Sequence, residues 1–240
     1  MNPRTFLIIL FFFLLSSPCI SALTTPAPKH EPLRQPPPIW WPDNSVVTYA
    51  ISPQHTITRL TKAQIQTAVD RAFATWAAVI PAKFNETAYY DNANIKIGFY
   101  EGDPFHGPRG VLGWGYSDNS GGTIHLNAET IWVVDFRVEK SKIATDLESI
   151  VVHEIGHVLE LNHSLNSHAV MYGHYSFRKK RANLDIDDVN KVQAIYGSNP
   201  NFKLDDLHTS SGSARLGFNY LVWNWFTSLL CLVYCSHFST

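Results

Sequence analysis

His153-Glu154-Ile155-Gly156-His157-Val158-Leu159-Glu160-Leu161-Asn162-His163 is the stretch on which the reading of this chain turns. On a helix, His153 and His157 stand one turn apart on the same face, with β-carbons roughly 5–6 Å apart. That spacing lets two imidazole nitrogens meet one metal ion at about 2.0–2.1 Å each. Glu154 projects to a different side, so it can touch a metal-held water instead of the metal. His163 lies far enough beyond His157 for the helix to end and the chain to return with a third nitrogen. Three neutral histidines with one open position suit a single catalytic zinc ion. The alternative is a polar helix carrying unrelated histidines, and the shared face weighs against it.

Outward from the motif, its helix is expected to open at Thr145, with Glu148 closing a capping box. The apolar stripe of that helix is Leu147, Ile150, Val151, Ile155 and Val158. A second amphipathic helix is expected over Lys62–Val79, where Ile65, Val69, Ala72, Phe73, Trp76 and Val79 share a face. Thr61 and Gln64 form its capping box. A short third helix over Ile186–Tyr196 has Asp185 as its cap and Gly197 as its stop. Strands read at Val46–Ile51, Lys83–Thr87, Ile95–Tyr100, Val111–Tyr116 and Thr123–Leu126, parted by Gly, Pro and Asn turns. The fold class is therefore α+β: a small twisted mixed β-sheet with two long helices and a short C-terminal helix.

With 240 residues, 45% hydrophobic and 13% aromatic, the chain can bury one ordinary core. A net charge of −1 offers no electrostatic basis for binding nucleic acid or an anionic membrane surface. Residues 1–22 read as a secretory signal peptide: Arg4, then an apolar run from Phe6 to Leu15, then small residues around Ala22. Residues 23–42 are a proline-rich linker. The cysteines are Cys19, Cys231 and Cys235, so no disulfide framework is expected between the ends. Residues 203–215 form a small-residue linker before a hydrophobic tail, residues 216–240. A glycolipid anchor attached in Ser210–Ala214 is the leading reading of that tail, against a transmembrane anchor or a packed or disordered tail.

The motif together with Ala169-Val170-Met171-Tyr172 resembles the matrix metalloproteinases of the metzincin clan. Pro42–Ala50, Ile95–Tyr100, Ile124–Glu129 and Tyr196-Gly197-Ser198 look like the plant branch in particular. The resemblance covers about Trp41 to Phe202 and implies a metzincin-like catalytic domain over residues 43–202. It implies zinc on His153, His157 and His163, Glu154 as general base and then acid, and Met171 in a hydrophobic turn beneath the metal. An ordinary core methionine is the alternative for Met171. Plant members are typically secreted, and many carry a glycolipid anchor.

The chain departs from the family pattern at several points. Glu160 stands where the family has a glycine that leaves the helix at positive φ, at a cost of about 1–2 kcal/mol for a residue with a β-carbon. Asn162, which tolerates that geometry better, is expected to absorb part of the turn. Trp114 replaces a histidine of the family's structural zinc, and His106 and Asn127 replace aspartates. His125, Glu129 and Asp103 remain, too few for a closed site. The structural zinc is therefore expected to be lost, and Ca2+ binding to be weak or absent. No cysteine-bearing propeptide is read between signal and domain, so no thiol latch is expected. Of two glycosylation sequons, Asn85-Glu86-Thr87 is the credible acceptor; a glycan on Asn162 would block the cleft.

The functional expectation is a monomeric, secreted or surface-tethered zinc endopeptidase acting on extracellular or cell-wall proteins. Its substrate is expected to lie as an added strand along Val111–Tyr116. One alternative is a catalytically weak or inactive relative that binds peptides or matrix protein; another is an adhesion domain using its aromatic-rich sheet. The resemblance puts the specificity pocket in the loop after Tyr172. The basic run Arg178-Lys179-Lys180-Arg181 there reads first as a solvated charged loop, with a bias for acidic substrates as the alternative.

Overall fold

Alternating apolar residues in short β-branched runs build the sheet, and two helices cover one of its faces. The computed structural model describes residues 46–205. The segments read as signal peptide, proline-rich linker, anchor site and apolar tail lie wholly or largely outside the described residues. Among the described residues there are seven strands: β1 (Val46–Ile51), β2 (Lys83–Glu86), β3 (Ile95–Tyr100), β4 (Gly113–Asp118), β5 (Gly121–Asn127), β6 (Trp132–Val133) and β7 (Thr145–Asp146). The helices are α1 (Lys62–Ala77), α2 (Leu147–Val158) and α3 (Ile186–Tyr196). The five-stranded sheet has the order β2-β1-β3-β5-β4. Its pairings are parallel except β4 with β5, so it is mixed, as expected, with β4 antiparallel on an edge. A separate parallel bridge pairs β6 with β7.

The core forms where α1 and α2 pack on the sheet. Tyr49 stacks on Phe73 with ring centroids 4.0 Å apart. The buried Trp76 indole donates to the Val152 carbonyl at 2.9 Å, which ties α1 to the helix carrying the motif. The Thr61 hydroxyl accepts from the Gln64 amide at 3.2 Å and the Gln64 side chain accepts from the Thr61 amide at 2.9 Å, the reciprocal cap read from the sequence. α3 has its Asp185 cap and its Gly197 stop, the latter at φ +78°.

Several boundaries differ from expectation by one or two residues, and two of them for identifiable local reasons. α2 is capped by Asp146, not Thr145. The Thr145 amide donates to the Ile131 carbonyl at 2.9 Å and its residue pairs with Trp132, so the strand claims it. Asp146 then accepts from the Ser149 amide at 2.9 Å. β4 starts at Gly113 because the preceding residues are held by Asn127, whose side-chain amide donates to the Gly107 and Val111 carbonyls at 2.9 and 3.0 Å. Asn85 is exposed on the outer strand β2, where a glycan would meet no core atom. Among the described residues no helix is long and apolar enough to cross a membrane.

Candidate metal centre

α2 delivers His153 and His157 from one face, and the following loop brings His163 back to them. The His163 Nε2 atom lies 3.2 Å from Nε2 of His153 and 3.2 Å from Nε2 of His157. A tetrahedral site with bonds of about 2.0–2.1 Å has nitrogen–nitrogen edges of about 3.3–3.4 Å, so the spacing suits one small ion. The His153 Nδ1 atom lies 2.7 Å from the Val170 carbonyl and that of His157 2.8 Å from the Leu161 carbonyl. A carbonyl can only accept, so both Nδ1 atoms carry the hydrogen and both Nε2 atoms keep their lone pairs. Burial lowers the pKa of His153 to about 4 and also lowers that of His157, which keeps both rings neutral near pH 7. Lone pairs converging at this distance repel each other unless a cation lies between them. Among the described residues this is the group of histidine, cysteine or carboxylate side chains gathered as a metal could use it.

Glu154 faces away from the histidine triad's backbone anchors and toward β4. It is 4% exposed, and its Oε2 atom is buried with no hydrogen-bond partner. Burial pushes its pKa from 4.5 to about 8, the Gly115 amide offsetting part of the shift. β4 can approach this closely because it lacks side chains there. A Cβ on Gly113 would lie 2.7 Å from Glu154 Oε1, and one on Gly115 would lie 2.3 Å from the Glu154 backbone oxygen. The alternating Gly113-Trp114-Gly115 was the available sequence signal for that contact: two glycines on one strand face.

Glu160 leaves the helix in the left-handed region, at φ +62°. The Leu161 amide donates to Gly156 O and the Glu160 amide to His157 O, both at 2.9 Å, which is a Schellman stop with glutamate at the position that prefers glycine. Asn162 does not share the turn, contrary to expectation, since Glu160 alone takes positive φ there. The Glu160 carboxylate accepts from the Ser117 hydroxyl on β4, so its side chain offsets the strain its β-carbon brings. Glu160→Ala, which keeps the strain and loses the bond, is expected to destabilise the chain by about 1–2 kcal/mol, and Glu160→Gly by less than half of that. Urea unfolding of both variants checks the order.

Met171 is fully buried below the triad, as the resemblance implied. A Cβ on Gly156 would lie 2.2 Å from its sulfur, so the glycine of the motif is the seat of this methionine. Asp188, on α3, holds the same turn. It is fully buried, and its carboxylate accepts from the amides of Val170 at 2.9 Å, Met171 at 3.1 Å and Asp185 at 2.8 Å. Its bond to the Asp185 amide belongs to the α3 capping box, but nothing in the local sequence marks the bonds to Val170 and Met171, which come from another segment.

Where the resemblance implied further metals, the side chains have other contacts. The ring of His125 lies 4.1 Å from that of Tyr100, and Glu129 accepts from the Gly107 amide at 2.9 Å. The basic run is exposed through Arg178, Lys179 and Lys180, as read, but several of its members also make tertiary contacts. Arg178 donates to the Phe136, Glu139 and Ser141 carbonyls at 2.9–3.0 Å, and Lys180 pairs with Glu148 at 2.6 Å. Arg181 donates to the Tyr172 and His174 carbonyls at 2.9 and 3.0 Å. The arginines thereby pin the wall of a cleft of about 480 Å3 that contains the triad and Glu154 and runs from β4 to the loop after Tyr172.

This arrangement places a histidine triad that could hold one metal ion, on a helix and its return loop, beside a buried carboxylate. The model of the matrixin family of peptidases matches residues 40–197, and the chain belongs to that family. It is 47% identical over 175 residues to Metalloendoproteinase 4-MMP of Arabidopsis thaliana, covering 71% of this chain and 51% of that protein. It is 41% identical over 181 residues to Metalloendoproteinase 1-MMP of the same plant, covering 73% and 50%. Identity to Interstitial collagenase of Oryctolagus cuniculus is 34% over 149 residues, covering 59% and 30%. The chain thus resembles plant metalloendoproteinases of the family and spans about half their length.

Proposed function

We propose that this chain is a zinc endopeptidase in which His153, His157 and His163 hold the metal and Glu154 moves the proton. The observation that carries the reading is the buried, unpartnered Glu154 Oε2 beside three converging imidazole nitrogens. Zinc on neutral histidines supplies a Lewis acid that acidifies water and stabilises negative charge developing on a carbonyl oxygen. The peptide pairs with the free edge of β4 in extended form, which presents its carbonyls in a fixed order and tolerates varied sequence. The Glu154 carboxylate takes a proton from the attacking water and returns it to the departing amine nitrogen. The glycine face of β4 lets the substrate strand lie close to that carboxylate.

The apolar stretch from Phe6 to Leu15 supports a secreted protein, so the substrates in this reading are extracellular or cell-wall proteins. The small-residue run Ser210–Ala214 supports a lipid attachment. Mass spectrometry of the mature C-terminus checks that part: Cys231 and Cys235 are expected to be gone. For the activity, the full chain is expected to retain one zinc per molecule and to cleave a generic protein, and Glu154→Ala to keep the zinc but not the cleavage. Retained zinc without Glu154-dependent cleavage would leave a peptide-binding module. A chain that holds no zinc would remove the ligand assignment as well.

A further inference from the structure

A second cavity, of about 580 Å3, adjoins the cleft; Tyr172, His174, Tyr175 and Arg181 line both. Its remaining wall includes His168, Lys179 and Lys180, and no aspartate or glutamate lines it. Arg181 is fixed in place by backbone dipoles: the Tyr172 and His174 carbonyls at 2.9 and 3.0 Å, and the Ser167 carbonyl at 3.5 Å. Among the described residues no carboxylate lies within 4.0 Å of its guanidinium. Lys180 is neutralised by Glu148, whereas Lys179 is exposed and has no ion-pair partner among the described residues.

Two cations thus face a cavity with no counter-charge in its wall, and one of them is partly buried. Burial pulls the Arg181 pKa down despite the opposing field of Asp188, which lies outside the cavity wall, the direction expected of a cation short of solvation. Anchoring by carbonyls fixes the fork's orientation without neutralising it and leaves some of its five donors free. A carboxylate entering the cavity would gain a charge-assisted bond to a group that needs little further ordering. Tyr172, His174, Tyr175 and Arg181 border both spaces, so the cavity lies next to the cleft that would hold the peptide.

We propose that this cavity is a recognition subsite for an acidic side chain of the substrate peptide, with Arg181 and Lys179 as the selecting charges. The proposal rests on the endopeptidase reading above. It replaces a diffuse attraction by the whole basic run with one position of preference, because Arg178 and Lys180 are already engaged.

The test uses the zinc-loaded full chain and fluorogenic peptides that differ only by Glu, Gln or Lys, stepped through the positions flanking the cleaved bond. At one position Glu is expected to exceed Gln by about five- to tenfold in kcat/KM, carried by KM, with Lys poorer than Gln. Raising the salt from about 50 mM to about 500 mM is expected to shrink that preference severalfold. Lys179→Glu is expected to cancel or reverse it, read as the ratio of Glu-peptide to Gln-peptide cleavage within that variant. Equal cleavage of Glu and Gln peptides at every position overturns the proposal, and so does a preference that persists in both Lys179→Glu and Arg181→Gln. If no peptide is cut, the endopeptidase reading fails, and anisotropy of the same peptides on Glu154→Gln still decides the subsite. Tighter binding of the Glu peptide there supports it; equal binding overturns it. Retention of the chain by an acidic polysaccharide, with no Glu preference among peptides, equally overturns it.

Discussion

Glu154→Gln is expected to lower kcat/KM on a peptide substrate by about 10²–10⁴-fold, the range that a positioned acid–base group contributes. The same substitution is expected to stabilise the zinc-free chain above neutral pH. The folded pKa of Glu154 is raised from 4.5 to about 8, so its unfavourable charging grows as the pH rises through that window. His153 is shifted the other way, from 6.5 to about 4, so its cost appears as the pH falls through that range. Between 4.5 and 6.5 the two slopes oppose each other; between 6.5 and 8 only the Glu154 slope remains. The zinc-free wild type is therefore expected to lose stability over the upper window, and Glu154→Gln to stay flat there. The difference at pH 8 is on the order of a few kcal/mol.

Loading zinc removes most of that slope in the wild type, since a divalent cation beside Glu154 favours the carboxylate. Thermal melts from pH 6 to 9, with and without zinc, check this alongside the kinetics. A variant that keeps more than about a tenth of the activity would take Glu154 out of proton transfer. Equal pH slopes in variant and wild type would mean that the carboxylate is solvated.

What could be read in the sequence was what repeats with helical or strand period. The i, i+4 histidines, the apolar stripe of α1 and both ends of α3 involve residues within a turn of one another, and they stand where the spacing put them. β1 and β3 alternate strongly enough to be bounded to the residue. The cap of α2 shifted to Asp146 because a pairing with Trp132, distant in sequence, outcompeted the local capping box. Glu160 was read as a liability from its β-carbon alone, since its compensating partner, Ser117, lies on another strand. The basic run is exposed as read, but its charge pattern gave no sign that Arg178 would donate to carbonyls of residues 136–141 or Arg181 to those of Tyr172 and His174. Contacts between remote segments leave no period in the sequence, and much of this site's support is of that kind.

Asp188 is the strongest instance, and its removal is expected to have the largest effect on stability. Asp188→Ala strips the acceptor from two buried amides, those of Val170 and Met171, and from the part-buried Asp185 amide. Each buried donor left without a partner costs about 1–3 kcal/mol, so the two together cost about 2–6 kcal/mol, enough to unfold a marginal domain. Asp188→Asn is milder. Oδ2 accepts from both Val170 and Asp185, so an amide oxygen placed there keeps two bonds and turns its NH2 group only toward Met171. A loss of about 1–3 kcal/mol is expected, which leaves a folded chain to measure. In that chain the turn bearing the Val170 carbonyl is held less firmly, and this carbonyl fixes the His153 ring through Nδ1. Zinc affinity, read by competition with a chelator, is therefore expected to fall about tenfold, toward the lower end of outer-layer effects on metal sites. Wild-type zinc affinity in a destabilised Asp188→Asn chain would confine the carboxylate to holding the fold. A parallel loss of both would make it the strut through which α3 orients the first histidine of the triad.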